Sequence, residues 1–468
     1  MQRGDRHMLM ATKLRAETGS TRGGELRLGW LSPAVVSLAV GSSAILLTAS
    51  VDDQQFRTYW QEPKVVTDSM LWLFECGVLA FAFGAMIVIA AMPARDDLAA
   101  AWPALSARRR AALERASTIL TTLTIVGYVG FAVLIVKSGL SLAELFGGSD
   151  HPWDAPAKTA IGNIPGVTAL TQIGIAAVVV SAILLAHKYT RAELIKLLVV
   201  LALSVPRSYI YSERLAILEL VVPVVVVGAG WLSTRDRTRR TIARAIPVAG
   251  IALVIVTFAF FEYFRSWMFY RMHGEDSFPT FVMNRLAGYY ATAINNGAVI
   301  VDHMSWPGRL PYDTLESFWS VQGIYQLRLY ERLGGHDRPY PKTFDPDSPY
   351  YRVLEQYANP EFNNPSGYEA PFVDYGPIGG LVFFFGLGLV AGLLYRHFCR
   401  GSLVGLLVYP MFFTGLVEWP RYMYWVQGRV TYAWVGLAAV VVGVLVTERK
   451  ARRRQTIWPK QPELLNQH

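Results

Sequence analysis

The chain has 468 residues, a net charge of +9 and two cysteines with no C-x-x-C pair, which leaves out a disulfide framework and a cysteine metal or redox centre. Hydrophobic residues make up 53% and charged residues 17%, fractions that would also suit a soluble protein. Their arrangement excludes one, because apolar runs of about 18–22 residues recur, each long enough to cross roughly 30 Å of hydrocarbon. The fold class is therefore an all-α polytopic membrane protein. Much of the basic excess sits in short loops between apolar runs, where it reports topology rather than nucleic-acid binding.

In chain order, residues 1–29 are polar and basic and lead into a first span at 30–50 without a small-x-small cleavage site. That reads as a cytoplasmic segment before an uncleaved signal-anchor. Further spans are expected at 70–92, 116–136, 167–187, 193–206, 214–232, 245–263, 375–396, 403–418 and 429–447, about ten transmembrane helices in all. The first seven fill 30–263 and the last three fill 375–447. The fifth ends at Pro206, which marks it as tilted or broken. Cys76 lies in the second span and Cys399 follows the eighth at the opposite face, so no bridge is expected.

With the N-terminus in the cytoplasm, the inner segments collect Arg108, Arg109, Arg110, Lys188, Arg191, Arg235, Arg237, Arg239, Arg240, Arg396 and Arg400. They also hold RKARRR (449–454) in a basic tail at 448–468, so both termini are expected to be cytoplasmic. Residues 264–374 then form one large extracytoplasmic loop of about 110 residues. LRLYERLGG is expected to hold a short helix, and RPYPKTFDPDSPYYR to be loop. The segment is too long for a plain connection and too aromatic for disorder, which predicts a periplasmic loop partly folded as a cap. The Gly/Pro-rich loop 138–166 is expected to line the same entrance. No internal repeat is present, which argues against an inverted-repeat transporter.

The residues able to do chemistry gather at the outer ends of the spans. In SVPRSYIYSERLAIL (204–218), a helix over 207–214 would put Arg207, Tyr211 and Arg214 on one face, the two guanidiniums about 10 Å apart along the axis. Arginine suits phosphate because its planar fork donates in pairs and stays charged; the plain alternative is two arginines snorkelling to the interface. In EYFRSWMFYRM (262–272), Glu262 and Arg265 are placed to pair, with Arg271 above them, facing either a cavity or only each other. RLAGYYATAINN (285–296) offers Arg285, Tyr289 and Tyr290, for stacking on sugars or simply as an interfacial helix. EWPRYMYWVQGR (418–429) sets Glu418, Arg421 and Arg429 among aromatics. Arg207, Arg214, Arg265, Arg285 and Arg421 share one face on this topology and suit a lipid-linked diphosphate, whose departure needs positive charge. Glu213, Asp374, Glu418 and His303 are the candidates to take the proton of an acceptor hydroxyl.

The stretch FNNPSGYEAPFVDYGPIGGLVFFFGLGLVAGLLY (362–395) resembles a segment of O-antigen and oligosaccharide repeat-unit polymerases of the Wzy type, through Asn363, Asn364, Asp374, Tyr375, Gly376 and Gly379. RSYIYSERLAIL and RLAGYYATAINN are similar to that family's Arg-containing segment and its Tyr-rich segment below the large loop. Pro365, Gly367 and Pro371 depart from the family's pattern. The resemblance implies that a growing glycan leaves undecaprenyl diphosphate and joins the non-reducing end of a new lipid-linked unit, at the outer face of the bacterial cytoplasmic membrane. It implies no metal, nucleotide sugar or other cofactor, a site that takes in Asn363 and Asn364, and a chain-length regulator protein as partner. Asp374 either orients an arginine or a sugar hydroxyl, or caps the eighth span. Three other readings stay open. They are a GT-C glycosyltransferase using Asp52 and Asp53, an O-antigen ligase differing in acceptor, and a flippase, against which the spans are largely uncharged at their centres apart from Glu219.

Overall fold

The computed structural model describes residues 28–92, 102–103, 105–141, 161–162, 164, 166–210, 215–272, 277–304, 310–321, 323–335 and 349–457. Among them the secondary structure is helical, apart from one parallel bridge between Ser366 and Tyr422. The main helices are α1 (Pro33–Ser50, with a π-helical stretch Ser37–Ser42), α2 (Asp53–Trp60), α3 (Asp68–Ala91), α4 (Ala107–Ser138), α5 (Thr168–His187), α6 (Arg191–Ile210) and α7 (Leu215–Ser233). They continue with α8 (Arg237–Glu262), α9 (Phe278–His303), α10 (Pro349–Tyr357), α11 (Glu369–Cys399), α12 (Leu403–Glu418) and α13 (Thr431–Ile457).

All ten expected spans are helical, and eight helices are long and apolar enough to cross a membrane: α1, α3, α4, α5, α7, α8, α11 and Gly428–Lys450. Of the other two, α12 is apolar but only 16 residues long, and α6 carries Arg191, Glu193, Lys196 and Arg207. The expected stop at Pro206 is not observed. Proline removes one donor to the preceding turn, and α6 continues past it to Ile210. The start of α4 is also earlier than expected, because the Ser106 hydroxyl accepts from the Arg109 amide at 3.2 Å and caps it.

The most extensive helix contact is between α3 and α11. It depends on two glycines, since a Cβ at Gly84 would overlap the Phe385 carbonyl and one at Gly388 would overlap the Phe81 carbonyl. Backbones that approach this closely supply the van der Waals contact that holds helices together in lipid. The hub of the bundle is α5, with 78% of its apolar stretch buried, whereas α8 lies at the periphery with 11%. Cys76 is exposed and Cys399 buried, and neither is bridged.

Between α8 and α11, α9 packs on the C-terminal half of α1 and on α2, α10 and α11. From Ala291 to Ile300 every residue of α9 is buried, so it is a core helix and the interfacial alternative is corrected. LRLYERLGG holds the expected short helix, Leu329–Arg332. The end of RPYPKTFDPDSPYYR is helical, because Tyr350 and Leu354 of α10 pack against Ile300 and Val373; its first part lies outside the described residues.

Candidate functional site

Two neighbouring asparagines on α9 fix the polar frame around the site. Asn295 accepts from the Val65 and Val66 amides (2.8 and 2.9 Å) and donates to Glu62 (3.1 Å) and the Pro63 carbonyl (3.0 Å). Asn296 donates to the carbonyls of Phe362 (2.5 Å) and Asn364 (3.1 Å). The connection after α2 and the 362–368 turn are thereby tied to one helix. Glu62 is 1% exposed, and its second oxygen accepts from the Asn359 amide at 3.2 Å. Burial pushes its carboxyl up to about 8, and hydrogen bonds from Asn295 and Asn359 offset only part of that. Sequence reasoning missed both asparagines and the acid; the available signal was a polar pair, NN, inside an otherwise apolar helix.

Arg285 is 4% exposed and faces two carboxylates, with Glu262 at 3.5 Å and Glu361 in direct hydrogen bond. It also donates to the Tyr270 hydroxyl (3.3 Å), which donates to Glu361 (3.0 Å), and its guanidinium lies over the Phe362 ring at 4.7 Å. Burial opposes its charge, but Glu361 and Glu262 outweigh burial and raise its pKa above the ordinary arginine value. Glu262, expected to pair with Arg265, faces Arg285, 23 positions along the chain. The side chain of Arg265 and residues Tyr211, Glu213 and Arg214 lie outside the described residues, and Arg271 is exposed.

Beyond Tyr289 the polar residues continue as a seam. The Arg421 guanidinium lies 5.4 Å over the Tyr289 ring and 5.4 Å over Tyr422, and donates to Glu418 at 2.7 Å. Arg429 reaches Glu219 of α7 at 3.4 Å. Glu219 in turn shares its field with Tyr128 of α4, which lies against Arg207 of α6, and Arg207 donates to Thr171 at 3.0 Å. The carboxylates are 7% (Glu418) and 4% (Glu219) exposed, while Arg421 and Arg429 remain 22% and 24% exposed. The Nε of Arg421 and the buried hydroxyls of Tyr422 and Tyr424 have no partner among the described residues. Such unmatched donors cost about 1–3 kcal/mol each when left empty, and would be satisfied by an anion. Tyr290 belongs to the same environment, near Glu418 and Arg421.

Other candidates are engaged elsewhere. Asp374 does not cap the span that follows it. The helix breaks at Gly376 (φ 79°, ψ 174°), and the carboxylate accepts from the amides of Tyr312 (3.0 Å), Asp313 (3.2 Å) and Thr314 (2.7 Å) and from the Thr314 hydroxyl (2.6 Å). It caps the short helical turn Asp313–Leu315 instead. His303 is exposed and stacked on Tyr357 at 3.9 Å. Asn363 and Asn364 contribute backbone carbonyls, which accept from Tyr350 (2.6 Å) and Asn296 respectively. Asp52 forms a capping box with Gln55, and Asp53 pairs with Arg57 at 2.8 Å, so both serve the start of α2. The chain matches no protein-family model, no curated protein and no solved structure.

Proposed function

We propose that the chain is a membrane-embedded glycosyltransferase that polymerises oligosaccharide units carried on undecaprenyl diphosphate. In this reading ten helices cross the bacterial cytoplasmic membrane, both termini are cytoplasmic, and 264–374 forms a cap at the outer face. The observation that carries it is the seam, where partly exposed Arg421 and Arg429 each lean on a carboxylate and unmatched donors sit beside them. A diphosphate leaving group develops negative charge, and donors fixed in a water-poor site stabilise it more than water does.

In the proposed step the acceptor hydroxyl oxygen attacks the anomeric carbon. The bond from that carbon to the diphosphate oxygen breaks, and its electron pair stays on the diphosphate, held by Arg421 and Arg429 with Arg207 behind. The hydroxyl proton goes to a carboxylate. Glu418 fits that task best among the described candidates, since Asp374 holds three amides and His303 is stacked away on Tyr357. The resemblance of 362–395 to Wzy-type polymerases adds support and gives the substrate class.

The test uses purified protein in detergent with a defined lipid-diphosphate oligosaccharide and no other donor. A product ladder spaced by one repeat is expected, lost in Arg421→Ala and reduced in Arg207→Ala. It should survive in Asp52→Ala/Asp53→Ala, which removes the acids a GT-C enzyme would need. No ladder with authentic substrate refutes polymerisation, and a ladder that survives Arg421→Ala refutes the site.

A further inference from the structure

A second polar group lies apart from the arginine seam, between α1, α3 and the start of α11. The Ser42 hydroxyl donates to one oxygen of Glu75 at 2.7 Å. The other oxygen of Glu75 is buried without a hydrogen-bond partner among the described residues. Next to it, Tyr368 is fully buried and its hydroxyl also has no partner among the described residues. Tyr368 lies in the field of Glu75, and its hydroxyl stands 2.8 Å from where a Cβ on Gly41 would be, so a side chain at residue 41 would push it aside. Ser42 closes the π-helical stretch Ser37–Ser42, a local widening that frequently marks functional positions.

The depth of this group matters. Glu75 is seven residues into α3 and Ser42 eight residues from the end of α1, so each lies about 10–12 Å inside its helix, about a third of the way across roughly 30 Å of hydrocarbon. An ionisable residue at that depth normally faces a partner charge. Among the described residues Glu75 makes no ion pair, and Ser42 is its hydrogen-bond partner.

We infer that Ser42, Glu75 and Tyr368 form a binding site for a monovalent alkali cation within the membrane domain. The carboxylate supplies the countercharge, and the two hydroxyls keep lone pairs that can coordinate. A hard cation takes oxygen ligands, and one carboxylate with two neutral oxygens balances a single positive charge. Divalent ions are held by more acidic sets, and no cluster of three or more acidic, histidine or cysteine residues occurs among the described residues. The bound ion would tie α1 and α3 to the turn that leads into α11, because Tyr368 follows Gly367 and packs on Trp419 at 5.2 Å. This inference does not depend on the glycosyl-transfer reading.

The experiment is carbodiimide labelling of Glu75 in the full-length protein in detergent, mapped by mass spectrometry in chloride salts of lithium, sodium, potassium or choline at equal ionic strength. At about ten times its dissociation constant a bound ion leaves roughly one site in eleven free, so labelling should slow by about tenfold in at least one alkali salt and not in choline. The same salt should raise the unfolding temperature of the wild type but not of Glu75→Gln, and Tyr368→Phe should need a higher concentration. Labelling that depends on pH alone and proceeds equally in every salt would assign the site to a proton and overturn the inference. If Glu75→Gln fails to fold, the wild-type labelling series still decides.

Discussion

The buried acid Glu62 makes the attachment of the segment between α8 and α11 sensitive to pH. Its carboxyl is pushed from 4.5 to about 8 in the folded chain, because burial disfavours its charged form. The groups around it are Asn295 from α9, the Asn359 amide and Tyr350 from α10, and none carries positive charge. Lys64, the nearest basic residue in sequence, points to the carbonyls of Ala49 (3.3 Å) and Val51 (2.6 Å) instead. A folded pKa above the unfolded one means that the folded state holds the proton more tightly. Stability is therefore fully present below about 4.5, falls between 4.5 and 8, and levels off above. The full fall is ~5 kcal/mol, at 1.36 kcal/mol per unit. The assay is unfolding of the detergent-solubilised protein, followed by tryptophan fluorescence between pH 5 and 9, on wild type and Glu62→Gln. Glutamine cannot ionise, so wild type should lose stability relative to the variant across this window, whatever the variant's baseline. Parallel pH profiles for the two proteins would refute the reasoning.

Arg285→Ala would leave Glu262 and Glu361 buried without their shared cation, a loss of about 3–5 kcal/mol that a thermal unfolding measurement detects. Glu361→Gln added to it should recover part of that loss, because one uncompensated charge is removed. Asp374→Ala strips the acceptor from three amides and a hydroxyl and should cost about 1–3 kcal/mol. Asp374→Asn should cost less, and limited proteolysis between α9 and α10 should follow the same order.

The spans could be read from the sequence because an apolar run of membrane length is seldom anything but a buried helix, and each expected run is a helix. Glu418 and Arg421, singled out in one short stretch, are three apart and form an ion pair, a spacing the sequence already offered. The failures come from partners far apart. Asp374 was expected to serve the helix beginning beside it, yet its partners lie about 60 positions earlier. Nothing local announces that an acid will be claimed by distant amides. Glu361 and Arg285 are 76 positions apart, and Glu62 and Asn295 are 233 apart, so their pairing depends on how the helices pack. Pro206 misled for a different reason, since proline weakens a helix at one turn without requiring it to end.

The arginines that looked alike in sequence separate on exposure. Arg285 lies between two carboxylates, Glu262 and Glu361, and is almost wholly buried, which leaves its guanidinium little access to an anion. Along the seam Arg421 lies against Glu418 and Arg429 against Glu219, and Arg207 donates to the neutral Thr171. Its two paired guanidiniums remain partly exposed, at 22% and 24%. In the proposed reading a diphosphate binds at the seam rather than at the Arg285 knot, although both lie beside Tyr289. It follows that the two arginines should fail in different ways: loss of Arg285 should act through folding, whereas loss of Arg421, which also unpairs the buried Glu418, should in addition remove the proposed anion site, so activity falls even in protein that remains folded.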